Sequence, residues 1–146
     1  MLAVGDVEGA RGAHDAPGLG DGHEGTNLVE AHGPEHSSSV RAVGAAVEAV
    51  ARSAGYGLVR EYCGHGIGRQ MHTDLQVPHY GPGGRGPRIR PGMAFTVEPM
   101  LNLGRAEIWT DADGWTVRTA DGLPSAQHEH TLLVTEAGVE VLTAPK

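Results

Sequence analysis

Residues 60–80 read REYCGHGIGRQMHTDLQVPHY. The stretch opens on apolar and aromatic residues that can pair as a strand, passes through the glycine-rich GHGIG, and carries His65, His72 and His79 seven residues apart. Gly64 and Gly66 flank His65. Glycine has no Cβ, tolerates positive φ and lets an ion or ligand come close to the main chain. The pattern therefore predicts His65 on a tight bend, presented as a metal ligand or a proton carrier. A lone loop histidine bonded to a backbone carbonyl would use the same glycines, so the choice rests on what other chemistry the chain brings.

Upstream of the bend, residues 58–63 (LVREYC) read as a strand leading into it. Before that strand, Val40, Val43, Val47, Val50 and Ala54 recur at helical spacing and form one apolar stripe. Residues 37–39 are serines that can cap the helix, Gly55 and Gly57 end it, and Arg41, Glu48 and Arg52 fall off the stripe. Residues 1–39 are of another kind, crowded with Gly, Asp, Glu, His and Ala and without periodicity. Such a segment buries too little apolar surface to offset its ordering entropy and is expected to be a disordered tail, with 40–146 as the folded domain. Its His14, Asp15, Asp21, His23, His32 and His36 sit among glycines with no rigid element to fix them, and read as solvated.

Downstream, residues 81–90 (GPGGRGPRIR) form a turn-rich surface loop. Residues 93–100 follow as a strand with Met93, Phe95 and Val97 on one face and Ala94, Thr96 and Glu98 on the other. Asp111, Ala112, Asp113 and Gly114 read as a hairpin turn between 106–110 and 115–119. A last strand, AQHEHTLLVT, alternates Gln127 and Glu129 against His128 and His130, and residues 139–142 return antiparallel to it. The fold class expected from the pattern is α+β, one helix followed by an antiparallel sheet.

Composition bounds the function. A chain of 146 residues with net charge −7 offers no basic face, which argues against a nucleic-acid partner. No apolar run is long enough to cross a membrane, the N-terminus lacks the pattern of a signal peptide, and the single cysteine, Cys63, suits a reducing compartment; the cytoplasm is the expected location. Three groups stand out chemically: His65 between its glycines, Glu98 before Pro99, and Glu129 between two histidines. One imidazole and two carboxylates make a nitrogen and oxygen site suited to Mn, Fe, Co or Zn, able to act as a Lewis acid and to lower the pKa of bound water to about 7. His72 could then carry protons or hold a substrate carbonyl. Nucleophilic catalysis by Cys63 competes, but a strand cysteine is inert without a lowered pKa.

Five motifs, in order, carry a resemblance: REYCGHGIGRQMH, QVPHY, RPGMAFTVEPM, DGWTVRTADG and SAQHEHTLLVT. With them, residues 40–143 resemble the C-terminal half of a type I methionine aminopeptidase, a pita-bread metallopeptidase. The resemblance implies an incomplete pita-bread fold and removal of N-terminal methionine from nascent peptides by metal-activated water. It assigns His65, Glu98 and Glu129 as metal ligands, with Glu129 bridging two ions. His72 would contact the scissile carbonyl or amide, and Tyr62 and Trp115 would line the methionine pocket. The sequence departs from the family at Leu75, where a proline is usual. It also lacks the N-terminal half that carries two aspartate ligands and a histidine. At most one of the two divalent ions is then expected, and turnover requires the missing half, either on another chain or in a longer gene product. The alternative is a truncated, inactive metal-binding remnant.

Overall fold

The computed structural model describes residues 39–145. Of the expected tail only Ser39 falls within this range; residues 1–38, with their histidines, lie outside the described residues.

Helix α1 spans Val40–Ser53, and Ser39 caps it by accepting the Ala42 N–H on its side chain. The Ser39 hydroxyl in turn donates to Gly84 O at 2.9 Å, and Val40 N–H donates to Pro87 O at 3.1 Å, so the helix start is sewn to the turn-rich loop. The buried face runs Val40, Gly44, Ala51, with Val43 packed on the core; the end of the expected stripe, Val50 and Ala54, is left exposed. Gly44 decides this rotation. Its bare backbone lies against Pro78 and Tyr80, where a Cβ would stand 2.5 Å from Pro78 O.

Ten short strands follow, paired antiparallel throughout. A five-stranded sheet has the order β10 (Gly138–Val141), β9 (His130–Thr135), β4 (Ala94–Val97), β2 (Gly64–Gly66), β3 (Thr73–Val77). A three-stranded sheet joins β1 (Gly57–Leu58), β5 (Met100–Asn102) and β8 (Ser125–Gln127). The hairpin β6 (Ile108–Thr110) and β7 (Val117–Thr119) stands by itself, with Gly114 in its turn at φ 69°, as the sequence predicts.

Val40 of the helix and Val77, Phe95 and Val134 of the large sheet form the core, with Val43, Leu75, Ile89, Met93, Val97 and Leu132 packed around it. Each such side chain, fully buried, contributes roughly 1.5–3 kcal/mol. Phe95, the only phenylalanine of the chain, is almost wholly enclosed.

Three expectations are corrected. The GHG segment is a central strand, not a tight bend, and neither Gly64 nor Gly66 has a positive φ. These glycines are needed for close approach instead: a Cβ on Gly64 would strike the Thr96 carbonyl, and one on Gly66 the Thr73 hydroxyl. The expected strand over 58–63 shrinks to Gly57–Leu58, after which Arg60 turns out to bond Glu48. The two long strands each break once. β4 gives way to β5 at Glu98 and Pro99, and β8 to β9 at His128 and Glu129. The breaks face one another, since Val97 pairs with His130 on one side and Met100 with Gln127 on the other. Pro99 has no N–H to give a ladder, which favours an interruption there.

Candidate metal centre

The two facing breaks put Glu98 and Glu129 at the step between the sheets, and β2 lies beside β4 with Gly66 paired to Phe95. One ligand atom from each of His65, Glu98 and Glu129 consequently lies within 4.8 Å of the other two. His65 and Glu98 are partly buried and Glu129 is exposed. These are the three metal ligands expected from the sequence, now drawn from three separate places in the chain.

Orientation of the imidazole is set by its neighbours. Its Nδ1 lies 3.0 Å from Gly66 O, a group that can only accept, so Nδ1 carries the proton and Nε2 keeps its lone pair. Nε2 stands 3.6 Å from Glu98 Oε1. That is too long for a hydrogen bond. It suits two atoms sharing an ion about 2.0–2.2 Å from each, at an angle of roughly 110–130°. The donor set and its spacing therefore fit a divalent metal.

Glu98 is held by two groups that the sequence alone did not single out for a role. Thr96, fully buried, accepts the His65 N–H on its hydroxyl oxygen at 2.9 Å and donates its own proton to Glu98 Oε1 at 2.7 Å. One hydroxyl thus ties two ligands together through a charge-assisted bond. His79 is 2% exposed and accepts the Glu98 N–H on Nε2 at 3.0 Å. Burial lowers its pKa to about 4, which keeps the ring neutral and able to accept. The signals were there: Thr96 shares the strand face of Glu98, and His79 is the third histidine of the evenly spaced set. Outer partners of this kind orient ligands and tune affinity.

The remaining expected site residues are placed as follows. The His72 ring lies beside that of His65, centroids 4.1 Å apart and planes tilted by 46°, and is open to solvent. Tyr62 precedes β2 and is 42% exposed, whereas Trp115, at the tip of the β6–β7 hairpin, is 75% exposed. Cys63 is a free, half-buried thiol outside the cluster.

Residues 26–136 match the model of metallopeptidase family M24. The chain belongs to this family. Among family M24 relatives, methionine aminopeptidase B of Synechocystis is 61% identical over 101 residues, 69% of this chain and 37% of that protein. The crystal structure of methionine aminopeptidase from Rickettsia prowazekii superposes with a TM-score of 0.70 at 42% identity, covering 73% of this chain and 44% of that one. The methionine aminopeptidase of Thermotoga maritima gives a TM-score of 0.72 at 37% identity, over 81% of this chain and 47% of its own. The M24 chain thus spans less than half the length of these relatives. The one helix and the antiparallel sheets of its described residues are an incomplete pita-bread fold, as expected from the sequence. Among its described residues no helix is long and apolar enough to cross a membrane.

Proposed function

We propose that this chain is the C-terminal half of a methionine aminopeptidase-like hydrolase acting in the cytoplasm on the N-terminal methionine of nascent peptides. The observation that carries this reading is the convergence of His65, Glu98 and Glu129 within 4.8 Å in a family M24 fold. A divalent ion held there, Co, Mn, Fe or Zn, supplies a Lewis acid for the activation of water. The protein's own residues do the rest. Thr96 and His79 hold Glu98 in position, and His65 is fixed through Nδ1 by the Gly66 carbonyl. His72, exposed beside His65, takes the role of holding the scissile carbonyl or moving a proton at the substrate amide. Tyr62 and Trp115 serve as walls for the methionine side chain.

The same reading makes the isolated chain inactive. Among the described residues the cluster contains three donors, enough for one ion but far short of a two-ion clamp. Trp115, Met71 and Leu103 are more than half exposed, and on this reading a complementary half covers them. A remnant with no turnover under any condition is the second reading, and the three-donor cluster is compatible with it. Methionine release from a Met-Ala peptide with Mn or Co separates them. The chain alone should release none. Addition of the separately produced N-terminal segment of the Synechocystis relative should restore release, and Glu129→Ala should abolish it. Turnover by the chain alone, lost in Glu129→Ala, overturns the half-site reading; no release after the two segments have demonstrably associated leaves the remnant.

A further inference from the structure

Beside the cluster, but outside it, two more imidazoles face each other. His128 Nε2 lies 3.2 Å from His130 Nε2, with the rings edge to face, centroids 4.5 Å apart and planes at 80°. Neither belongs to the group formed by His65, Glu98 and Glu129. Two nitrogen lone pairs at this distance repel one another unless a proton or a cation lies between them. The pair is within N–H···N hydrogen-bond distance, and two nitrogens bonded to one zinc at about 2.0–2.1 Å and a tetrahedral angle stand roughly 3.3 Å apart, so an ion can replace the shared proton with little movement.

The surroundings prepare one of the rings for this role. His130 Nδ1 is 2.9 Å from Thr143 Oγ1, and the same oxygen accepts the Thr131 N–H at 3.1 Å. Thr143 is brought there by the hairpin of β9 and β10, since Leu142 N–H donates to Thr131 O at 2.9 Å just before it. In the tautomer whose Nδ1–H donates to the hydroxyl, Nε2 carries the lone pair that faces His128. A metal-ligating histidine characteristically uses its other nitrogen in this manner. His128 is exposed and His130 half-buried, so an ion reaches the pair from solvent and keeps its remaining positions for water.

We propose that His128 and His130 form a second metal site on this chain, separate from the family's cluster, that takes a borderline divalent transition ion such as zinc. Imidazole pairs suit Zn, Cu and Ni and discriminate against Mg and Ca. The site flanks Glu129 in the chain but uses none of His65, Glu98 and Glu129 as a donor, so it stands or falls apart from the proposed peptidase function.

The test is titration of the full, chelator-stripped chain with zinc alone, followed by calorimetry and by the imidazole nitrogen resonances in NMR. Zinc should shift the His128 and His130 resonances together, and His128→Gln, at an exposed position, should bind one equivalent fewer than the parent while His65→Ala loses a different one. Histidines elsewhere in the chain add the same background to every variant, so the differences isolate each site. Magnesium should leave the pair unmoved. If His128→Gln binds as many equivalents as the parent, or the two resonances stay put while those of His65 move, the pair is only hydrogen-bonded and the proposal fails. Loss of an equivalent in His128→Gln with none lost in His65→Ala sustains this site and removes the support of the peptidase reading instead.

Discussion

The backbone N–H of Glu98 has no ladder partner, because β4 ends at Val97 and the next nitrogen belongs to Pro99; His79 Nε2 accepts it at 3.0 Å. This is possible only while the ring is neutral, and burial lowers its pKa from 6.5 to about 4. The sign follows from proton counting. Between those two values the unfolded chain binds a proton that the folded chain does not, so the stability is present above pH 6.5 and is lost as the pH falls towards 4. A displacement of this size is worth on the order of 3 kcal/mol when complete. The stability of metal-free protein, from urea unfolding, should therefore fall by this order between pH 7 and pH 4 relative to His79→Gln, which keeps an acceptor and does not titrate. Parallel curves for the two proteins would show that the ring is not excluded from water as the structure has it.

At the scale of elements, α1 docks through an absence. Alanine in place of Gly44 gains about 1 kcal/mol of helix propensity, which by itself predicts a stabilised protein. Its Cβ, however, would stand 2.5 Å from Pro78 O and 2.7 Å from Tyr80 O, backbone atoms that cannot swing aside. Overpacking of this kind costs roughly 1–3 kcal/mol. Gly44→Ala should accordingly lower the unfolding free energy by up to about 2 kcal/mol, measured by denaturant unfolding, and a rise would mean that the loop yields. Glu48 strengthens the same contact from the helix side, accepting from Arg60 at 2.7 Å and from the Gly81 N–H at 2.8 Å. Helix and hairpin were readable from the chain because spacing, cap and turn residues are local signals. The strand breaks were not, because period-two alternation runs unaltered through Glu98 and Glu129 and says nothing about which sheet each half joins. Thr96 shows the same limit at the site: its face could be assigned from alternation, but its link between His65 and Glu98 exists only once β2 lies beside β4.

For the molecule as a whole, the three ligands couple parts of the chain that touch through few other elements. His65 belongs to β2, next to the edge of the five-stranded sheet, while Glu98 and Glu129 sit at the step to the three-stranded sheet, whose strands are only two or three residues long. An ion shared by all three would bind the folded chain and not the unfolded one, so it must raise stability by mass action, by about 2.7 kcal/mol at a hundredfold excess over Kd. For a domain of this size that corresponds to an increase in Tm on the order of 10 °C. Thermal unfolding with Mn(II) is best followed in the His128→Gln background, where the neighbouring histidine pair cannot contribute. The expected rise grows with Mn(II) concentration and disappears in Glu98→Ala. A Tm indifferent to the ion, or equally raised in Glu98→Ala, would mean that the three side chains are near one another without acting as a site.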